Sequence, residues 1–411
     1  MGPVCRRVPR LAAIVVVSAL LAYLGTLAAV RGPVAAYRMA TNGRPSVDTW
    51  RIFPQRSVES TGVHAALATS PMPTFPETVA VPDFFDVSQK RVARWSDLFA
   101  QTNARAFVVV HDDAVVYEAY PNGAHRDDVQ PGFSVTKSFM STLIGIAIHD
   151  GRIRRVDDPV VGYLPELLGR GLDDLRIRDL LTMSSGVGFD QVGAVFPLLA
   201  AFSDDPRVYY SPDLRSIALG VRAGAEPVAQ ALRYNDYYLL LEGIILERVT
   251  GQSLTSYLSA KLWSPLQMEF PASWSLDSDT DGFEKPEAGL NARALDFARL
   301  GLLYLHDGRW AGAQVVPSGW VRAATVPDAG DTRPWLTAPR WKELGYYGYH
   351  WWGLRGADGH LRLHGSREPR PDHLRVARHE DSRGQAWRRT RPGHVVAVRD
   401  PRTDRRPLPD A

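Results

Sequence analysis

Residues 132–140 read GFSVTKSFM and place a serine and a lysine three positions apart at the start of an apolar stretch. Residues three apart on an α-helix share one face, so Ser134 and Lys137 can touch. A serine hydroxyl is a weak nucleophile until a neighbouring group takes its proton. Burial next to a helix N-terminus lowers the pKa of a lysine, and an uncharged lysine can accept the proton of the serine. The free N–H groups at the helix N-terminus also stabilise negative charge that develops there. The pattern predicts Ser134 as a nucleophile and Lys137 as its base.

The residues that follow support a buried helix. Positions 139–148 are almost wholly apolar, which is typical of a helix buried on all sides, and Asp150-Gly151 is a typical helix end. A serine and a lysine at this spacing also occur by chance, so an ordinary helix with a polar start is the alternative interpretation of the four residues alone.

Three neighbouring stretches together resemble the serine β-lactamase and penicillin-binding-protein superfamily. They read SVTKSFMSTLIGIAIHDGRI from residue 134, DDPVVGYLPEL from 157 and IRDLLTMSSGVGF from 177. The likeness is greatest to the class C-like branch, which includes esterases and 6-aminohexanoate-oligomer (nylon-oligomer) hydrolases. It implies an α/β (α+β) fold in which an antiparallel sheet flanked by helices lies beside an all-helical region, with the active site between them. We interpret the two serines of TMSSG as helix caps.

A second motif follows at residues 233–238, which read RYNDYY and run into LLLEGIILERVTG. This resembles the Tyr-x-Asn or Tyr-x-Ser motif of the superfamily, so Tyr234 is expected to relay protons to the leaving group. Asp236 stands where the family has Asn or Ser, and its carboxylate could pair with Lys137 and raise the pKa of that lysine. Without the resemblance, Tyr234 would be one of three tyrosines in a packed loop.

A third motif is expected on a strand near residue 364. Residues 346–352 and 360–365 are predicted to form two strands around the turn GADG. The resemblance places His364 and Gly365 where the family has Lys-Thr-Gly or a His-x-Gly-like motif, whose backbone helps to bind the oxyanion together with the N–H of Ser134. His360 and His364 lie four apart, about 13 Å along a strand, which is too far for one metal ion. We therefore expect no metal site and no cofactor.

The remaining segments are interpreted as scaffold. Residues 87–103 are predicted to be a helix, and residues 106–120 a hairpin around Asp112-Asp113. Residues 286–321 resemble a family segment and carry an apolar helical stripe, to which we assign no chemistry. The resemblance covers roughly residues 87–365, and the hydrolase domain is expected to occupy 86–366.

The N-terminus carries a candidate membrane segment. Residues 11–30 are an uncharged run that would extend about 30 Å as a helix, enough to cross a bilayer. Arg6, Arg7 and Arg10 precede it, which favours residues 1–10 in the cytoplasm and the catalytic domain outside. We predict a retained signal anchor followed by a tether over residues 31–85, with a cleaved signal peptide as the alternative.

The C-terminal tail, residues 367–411, is expected to be aberrant. It is rich in arginine, lacks Ile, Phe and Tyr, and loses the family likeness. Read one base later with suitable synonymous codons, Pro369–Trp387 can give PGRTTYVSPGTKTVVVKLG, a strand, a turn and a second strand in the order that the fold requires. We therefore predict that the tail is translated out of frame, does not supply the closing strands, and leaves the protein weakly stable or inactive.

Composition excludes few classes. With a formal net charge of +3 over 411 residues, nucleic acid is not an expected partner, and the single cysteine, Cys5, permits no intramolecular disulfide. The predicted function is hydrolysis of a small amide or ester through an acyl-enzyme on Ser134. The alternatives are a D-Ala-D-Ala peptidase or β-lactamase, against which the missing Lys-Thr-Gly counts, and a non-catalytic membrane-anchored binding module.

Overall fold

Helices and antiparallel strands alternate along the part of the chain that the computed structural model describes, which comprises residues 7–60, 62–72, 75–82, 90–190, 197–336, 345–355, 361–364, 375–378 and 394–398. The α-helices of this part are α1 (Arg7–Arg31), α2 (Pro33–Asn42), α3 (Trp95–Thr102), α4 (Val135–His149), α5 (Ile177–Leu181), α6 (Asp204–Tyr210), α7 (Leu214–Leu219), α8 (Tyr237–Thr250), α9 (Leu254–Leu258), α10 (Ala294–Leu305) and α11 (Ser318–Thr325). The strands are β1 (Gln55–Val58), β2 (Ala68–Thr69), β3 (Thr78–Pro82), β4 (Lys90–Arg94), β5 (Ala106–His111), β6 (Ala114–Ala119), β7 (Gln130–Pro131), β8 (Ala272–Ser275), β9 (Leu290–Ala292), β10 (Arg309–Trp310), β11 (Ala313–Gln314), β12 (Gly345–Gly348), β13 (Trp351–Arg355), β14 (Leu361–His364), β15 (Arg375–Arg378) and β16 (His394–Val398).

The central sheet has eight strands in the order β12-β13-β14-β15-β16-β5-β6-β2. Its neighbours pair antiparallel except β2, which runs parallel to β6. A second sheet, β1-β8-β9-β7, stands beside it. Between β7 and β8 the described residues form helices and loops, as predicted for the helical region.

Helix α4 lies at the centre of the hydrophobic core. Every residue from Thr136 to Ala147 is buried, which confirms the prediction of a helix buried on all sides. Gly145 allows the indole ring of Trp320 to pack against α4, because a Cβ at this position would lie 2.4 Å from that ring. Helices α8 and α10 contribute the largest further groups of residues to the same core.

Several predicted elements have different bounds in the structure. The hairpin of β5 and β6 is confirmed, and both Asp112 and Asp113 have positive φ, as a tight two-residue turn requires. The helix predicted over 87–103 begins only at Trp95, because β4 pairs with β3 instead. The strand predicted over 346–352 is divided by a turn at Tyr349-His350, where both residues have positive φ.

The segment predicted as a tether is more ordered than expected. Residues 33–42 form α2, and β1 pairs with β8 in the second sheet. Arg38 of α2 donates hydrogen bonds to the backbone oxygens of Tyr210 and Asp277. These contacts bury the start of the segment against α6 and the second sheet, so at least residues 33–58 belong to the same folded body.

The tail also differs from expectation. Two of its segments form strands β15 and β16, and these pair with β14 and β5 in the central sheet. The prediction that the tail supplies no closing strand is therefore wrong for residues 375–378 and 394–398. Other residues of the tail lie outside the described ones.

The reading frame stays a prediction that resequencing can test. We expect an additional or missing base near codon 366. In the shifted frame, a tight Pro-Gly turn would join the two strands into a regular hairpin. In the present frame, β15 and β16 are paired at one position only, Arg375 with Val395. The protein translated in the corrected frame should unfold at a higher temperature than the chain described here. An unchanged gene sequence with an active, stable product would refute the interpretation.

Candidate active site

Ser134 lies at the N-terminus of α4, directly after a constrained turn. Phe133 has φ 41°, a left-handed conformation that costs energy for a residue with a side chain. Gly132 precedes it and donates to Leu290 O at 2.7 Å, and a Cβ on Gly132 would lie 2.9 Å from the same oxygen. The turn thus needs a glycine at 132, and it leaves the half-buried Ser134 at the mouth of the helix.

Lys137 reaches back to Ser134 along the same face of α4. Its Nζ lies 3.3 Å from Ser134 Oγ, 2.6 Å from the backbone oxygen of Glu287 and 2.8 Å from Asp236 Oδ1. The side chain is only 3% exposed, whereas that of Asp236 is 22% exposed. The ammonium group is therefore held between a serine, a carbonyl and a carboxylate with almost no access to water.

Tyr234 completes a cluster with Ser134 and Lys137. Its hydroxyl hydrogen-bonds both of these side chains, and its ring centroid lies 5.3 Å from Lys137 Nζ. Burial raises the pKa of Tyr234 above the ordinary value, although the charge of Lys137 opposes the rise. Tyr234 is thus a neutral phenol at neutral pH, and its oxygen accepts a hydrogen bond from the ammonium group of Lys137 next to Ser134.

The charge state of Lys137 differs from the first expectation. Burial alone lowers the pKa of Lys137, but the carboxylate of Asp236 and, to a lesser extent, Tyr234 and Glu287 outweigh it, and the pKa is raised above the ordinary value. The pairing between Asp236 and Lys137 that the sequence allowed is therefore present. Lys137 carries its charge in the resting site.

Asn235 and Asp236, at the start of α8, have different roles. Asn235 is fully buried, and its Oδ1 accepts a hydrogen bond at 2.8 Å from the backbone N–H of Tyr237. Asp236 makes no capping hydrogen bond with the helix. Because Asn235 caps the helix, the Asp236 carboxylate remains available to Lys137.

Sequence reasoning missed the support behind Lys137. Lys285 and Glu287 are each 1% exposed, and Lys285 Nζ lies 2.9 Å from Glu287 Oε1 and 2.9 Å from the backbone oxygen of Tyr209. Glu287 belongs to the segment to which no chemistry was assigned, yet its carbonyl accepts from Lys137. The sequence did contain a signal for this support: three charged residues within 284–287 directly precede the apolar segment that resembles the family.

Aromatic side chains cover the other side of Tyr234. The ring of Trp352 lies 5.6 Å and that of Tyr347 6.4 Å from it. The hydroxyl of Tyr347 is 3.1 Å from His350 Nδ1, and His350 Nε2 is 2.9 Å from Glu242 Oε1, in a fully buried pair. None of these residues was predicted, because only the turn at 349–350 brings them onto α8.

The predicted third motif is described only in part. His364 ends β14, where it is the register partner of Trp352, and this places the end of that strand near the aromatic residues around Tyr234. Gly365 lies outside the described residues. Ser185 accepts from the backbone N–H of Val187 in a local turn, whereas α5 ends at Leu181 with Thr182 at its C-cap, so the interpretation of the two serines as helix caps is wrong. Within the described residues, no three His, Cys, Asp or Glu side chains are grouped to hold a metal ion.

Comparison with known proteins identifies the family of this chain. Residues 96–368 match the model of the Beta-lactamase family, and the chain belongs to that family. It is similar to a 6-aminohexanoate-dimer hydrolase of Paenarthrobacter ureafaciens, with 27% identity over 83% of this chain and 90% of that protein. It superposes on the solved "putative 6-aminohexanoate-dimer hydrolase from Bacillus anthracis" with TM-score 0.70 and 21% identity over 88% of each chain. A penicillin-binding protein of Bacillus halodurans shares the fold more distantly, with TM-score 0.50 and 16% identity over 74% of this chain and 94% of that one.

Proposed function

We propose that this Beta-lactamase-family hydrolase cleaves the amide or ester bond of a small molecule through an acyl-enzyme on Ser134. The observation that carries the proposal is the contact of Ser134 Oγ with Lys137 Nζ at 3.3 Å, with Tyr234 hydrogen-bonded to both. The similarity to a 6-aminohexanoate-dimer hydrolase along most of the chain supports a short amide of this kind as substrate.

The proton steps follow from the contacts of Lys137. In acylation, one proton of Lys137 moves to Asp236, and Lys137 takes the proton of Ser134 as its oxygen bonds to the substrate carbonyl carbon. Tyr234 gives a proton to the departing amine or alcohol and regains one from Lys137, and Asp236 then returns its proton to Lys137. Water attacks the acyl-enzyme with the proton movements reversed. The N–H groups at the start of α4 stabilise the oxyanion.

Covalent labelling tests the proposal. A fluorophosphonate probe should label the purified chain at Ser134, as shown by mass spectrometry of the peptide, and a fluorescent penicillin should not. Turnover is then measured on p-nitrophenyl esters, nitrocefin and short ω-amino-acid amides. Labelling by the penicillin with hydrolysis of nitrocefin would favour the β-lactamase or peptidase alternative, and no labelling by either probe would favour a binding module.

The role of Tyr234 has its own test. Tyr234→Phe removes the proton donor but keeps the ring, and should slow hydrolysis of an amide by roughly 10²–10⁴-fold. Acylation by activated esters should fall less, because their leaving groups need little protonation. Tyr238→Phe, at the second residue of α8, is the matched control. A rate on amides within twofold of the unmodified protein would contradict the role.

We also infer that α1 remains attached as a membrane anchor. Residues Ala12–Arg31 are long and apolar enough to cross a membrane, a property that a signal sequence shares. The basic residues before the helix favour a cytoplasmic N-terminus and an external catalytic domain. Resistance of the full chain to carbonate extraction would support the anchor, and a soluble product that begins near residue 31 would show cleavage.

A further inference from the structure

The C-terminal half of α1 lies directly against the catalytic part of the chain. The ring of Tyr23 meets the ring of Phe202 edge to face, with centroids 5.7 Å apart. The guanidinium of Arg31 donates hydrogen bonds to the backbone oxygens of Phe202 and Ser203. Phe202 ends a short 3₁₀ helix, Pro197–Phe202, so this helix and the last turns of α1 form one packed unit.

The length of the apolar run decides where this unit stands relative to a bilayer. A hydrocarbon layer of about 30 Å needs roughly 20 helical residues, which is the whole of 11–30. If the layer ended at Tyr23, residues 11–22 would span only about 18 Å. The exposed side of residues 23–30 would therefore face the lipid, since Leu27 on the other side packs with residues of α2, and Phe202, in contact with Tyr23, would lie at the same depth.

The chemistry of residues 199–202 suits such a position. They read Leu-Ala-Ala-Phe, and Leu199 is 42% exposed although it is apolar. Backbone carbonyls at membrane depth need donors, and Arg31 supplies them for Phe202 and Ser203. The next residues of α6 include the exposed Asp205, which marks the water side. Apolar and charged residues thus change over within one turn, as at a membrane interface.

We propose that residues 199–202 insert into the outer leaflet beside α1 and hold the catalytic domain against the lipid surface. The proposal rests on the inferred retention of α1 and names a lipid bilayer as the partner of this face. The same chain segment continues into α6, where the backbone oxygen of Tyr209 accepts a hydrogen bond from Lys285. Lys285 forms an ion pair with Glu287, and the backbone oxygen of Glu287 accepts from Lys137. A chain of contacts therefore connects α6, which follows residues 199–202, to Lys137.

Fluorescence quenching in vesicles tests the contact without using activity. The full chain with Cys5→Ser and Leu199→Cys is labelled with the environment-sensitive dye NBD and reconstituted in phosphatidylcholine vesicles with or without brominated acyl chains. Leu199 is exposed, so the label should be tolerated. The matched control is Leu168→Cys, at a leucine 59% exposed beside the Glu166–Arg248 ion pair at the C-terminal end of α8.

The expected result is a blue-shifted emission and at least twofold quenching by bromolipid at position 199, with neither at 168. Equal, unquenched emission at both positions would overturn the proposal, as would a membrane-bound product that has lost α1. Fluorophosphonate labelling of Ser134 in the same samples reports the catalytic proposal separately. Quenching at 199 without labelling at Ser134 would leave the membrane contact standing and remove the proposed chemistry.

Discussion

Ser134→Ala is expected to reduce hydrolysis by on the order of 10⁴–10⁶-fold, because it removes the only atom that forms the proposed acyl-enzyme. The change is small and half-buried, so the unfolding temperature should move little. The measurements are kcat on the best amide or ester of the substrate panel, and labelling by the fluorophosphonate.

Ser138→Ala is the matched control for this variant. Ser138 stands on the same helix, is fully buried, and donates to the backbone oxygen of His350 at 3.0 Å. Its loss should cost about 1 kcal/mol of stability while labelling at Ser134 persists. Wild-type esterase activity in purified Ser134→Ala would show that the nucleophile is another residue.

Lys137→Met should abolish activity nearly as completely and, unlike Ser134→Ala, should also destabilise the fold. The substitution leaves the carboxylate of Asp236 without its partner at 2.8 Å. Breaking a buried ion pair costs about 3 kcal/mol or more, and the partial exposure of Asp236 favours the lower figure. Urea unfolding measures the loss.

The double variant Lys137→Met with Asp236→Asn separates the structural effect from the chemical one. It removes the unpaired charge, so the stability should return most of the way while activity stays absent.

The pH dependence of the stability tests the ion pair separately. The pKa of Lys137 is raised in the folded state. Its contribution is therefore complete below the ordinary lysine pKa of about 10.4 and is lost only as the pH rises through the raised value. The cost of Lys137→Met should accordingly be constant between about pH 6 and pH 9, and a cost that vanished at pH 8 would contradict the ion pair.

Local sequence determined the elements that depend on residues close together in the chain. The spacing of Ser134 and Lys137 on an apolar helix, the Asp112-Asp113 turn and the buried stripe of α10 follow from helical or hairpin periodicity, and the structure has all three. The resemblance brought Tyr234 and Asp236 to the same site, and the structure places them beside Lys137. These predictions depend either on contacts between residues a few positions apart or on the likeness of a complete motif to the family.

Only the tertiary structure decided the charge of Lys137 and the support around it. Burial by itself predicted an uncharged lysine, whereas the pairing with Asp236, 99 positions away, outweighs burial. The carbonyl of Glu287 and the turn at Tyr349-His350 reach the site from 150 or more residues beyond Lys137. Likewise, the apolar run at 11–30 predicted a helix, but only the tertiary structure shows the contact of that helix with Phe202, on which the proposed membrane contact rests. A periodic pattern reports which face of an element is buried; which distant charges and rings meet there depends on how the chain packs, and that information is absent from any one stretch of sequence.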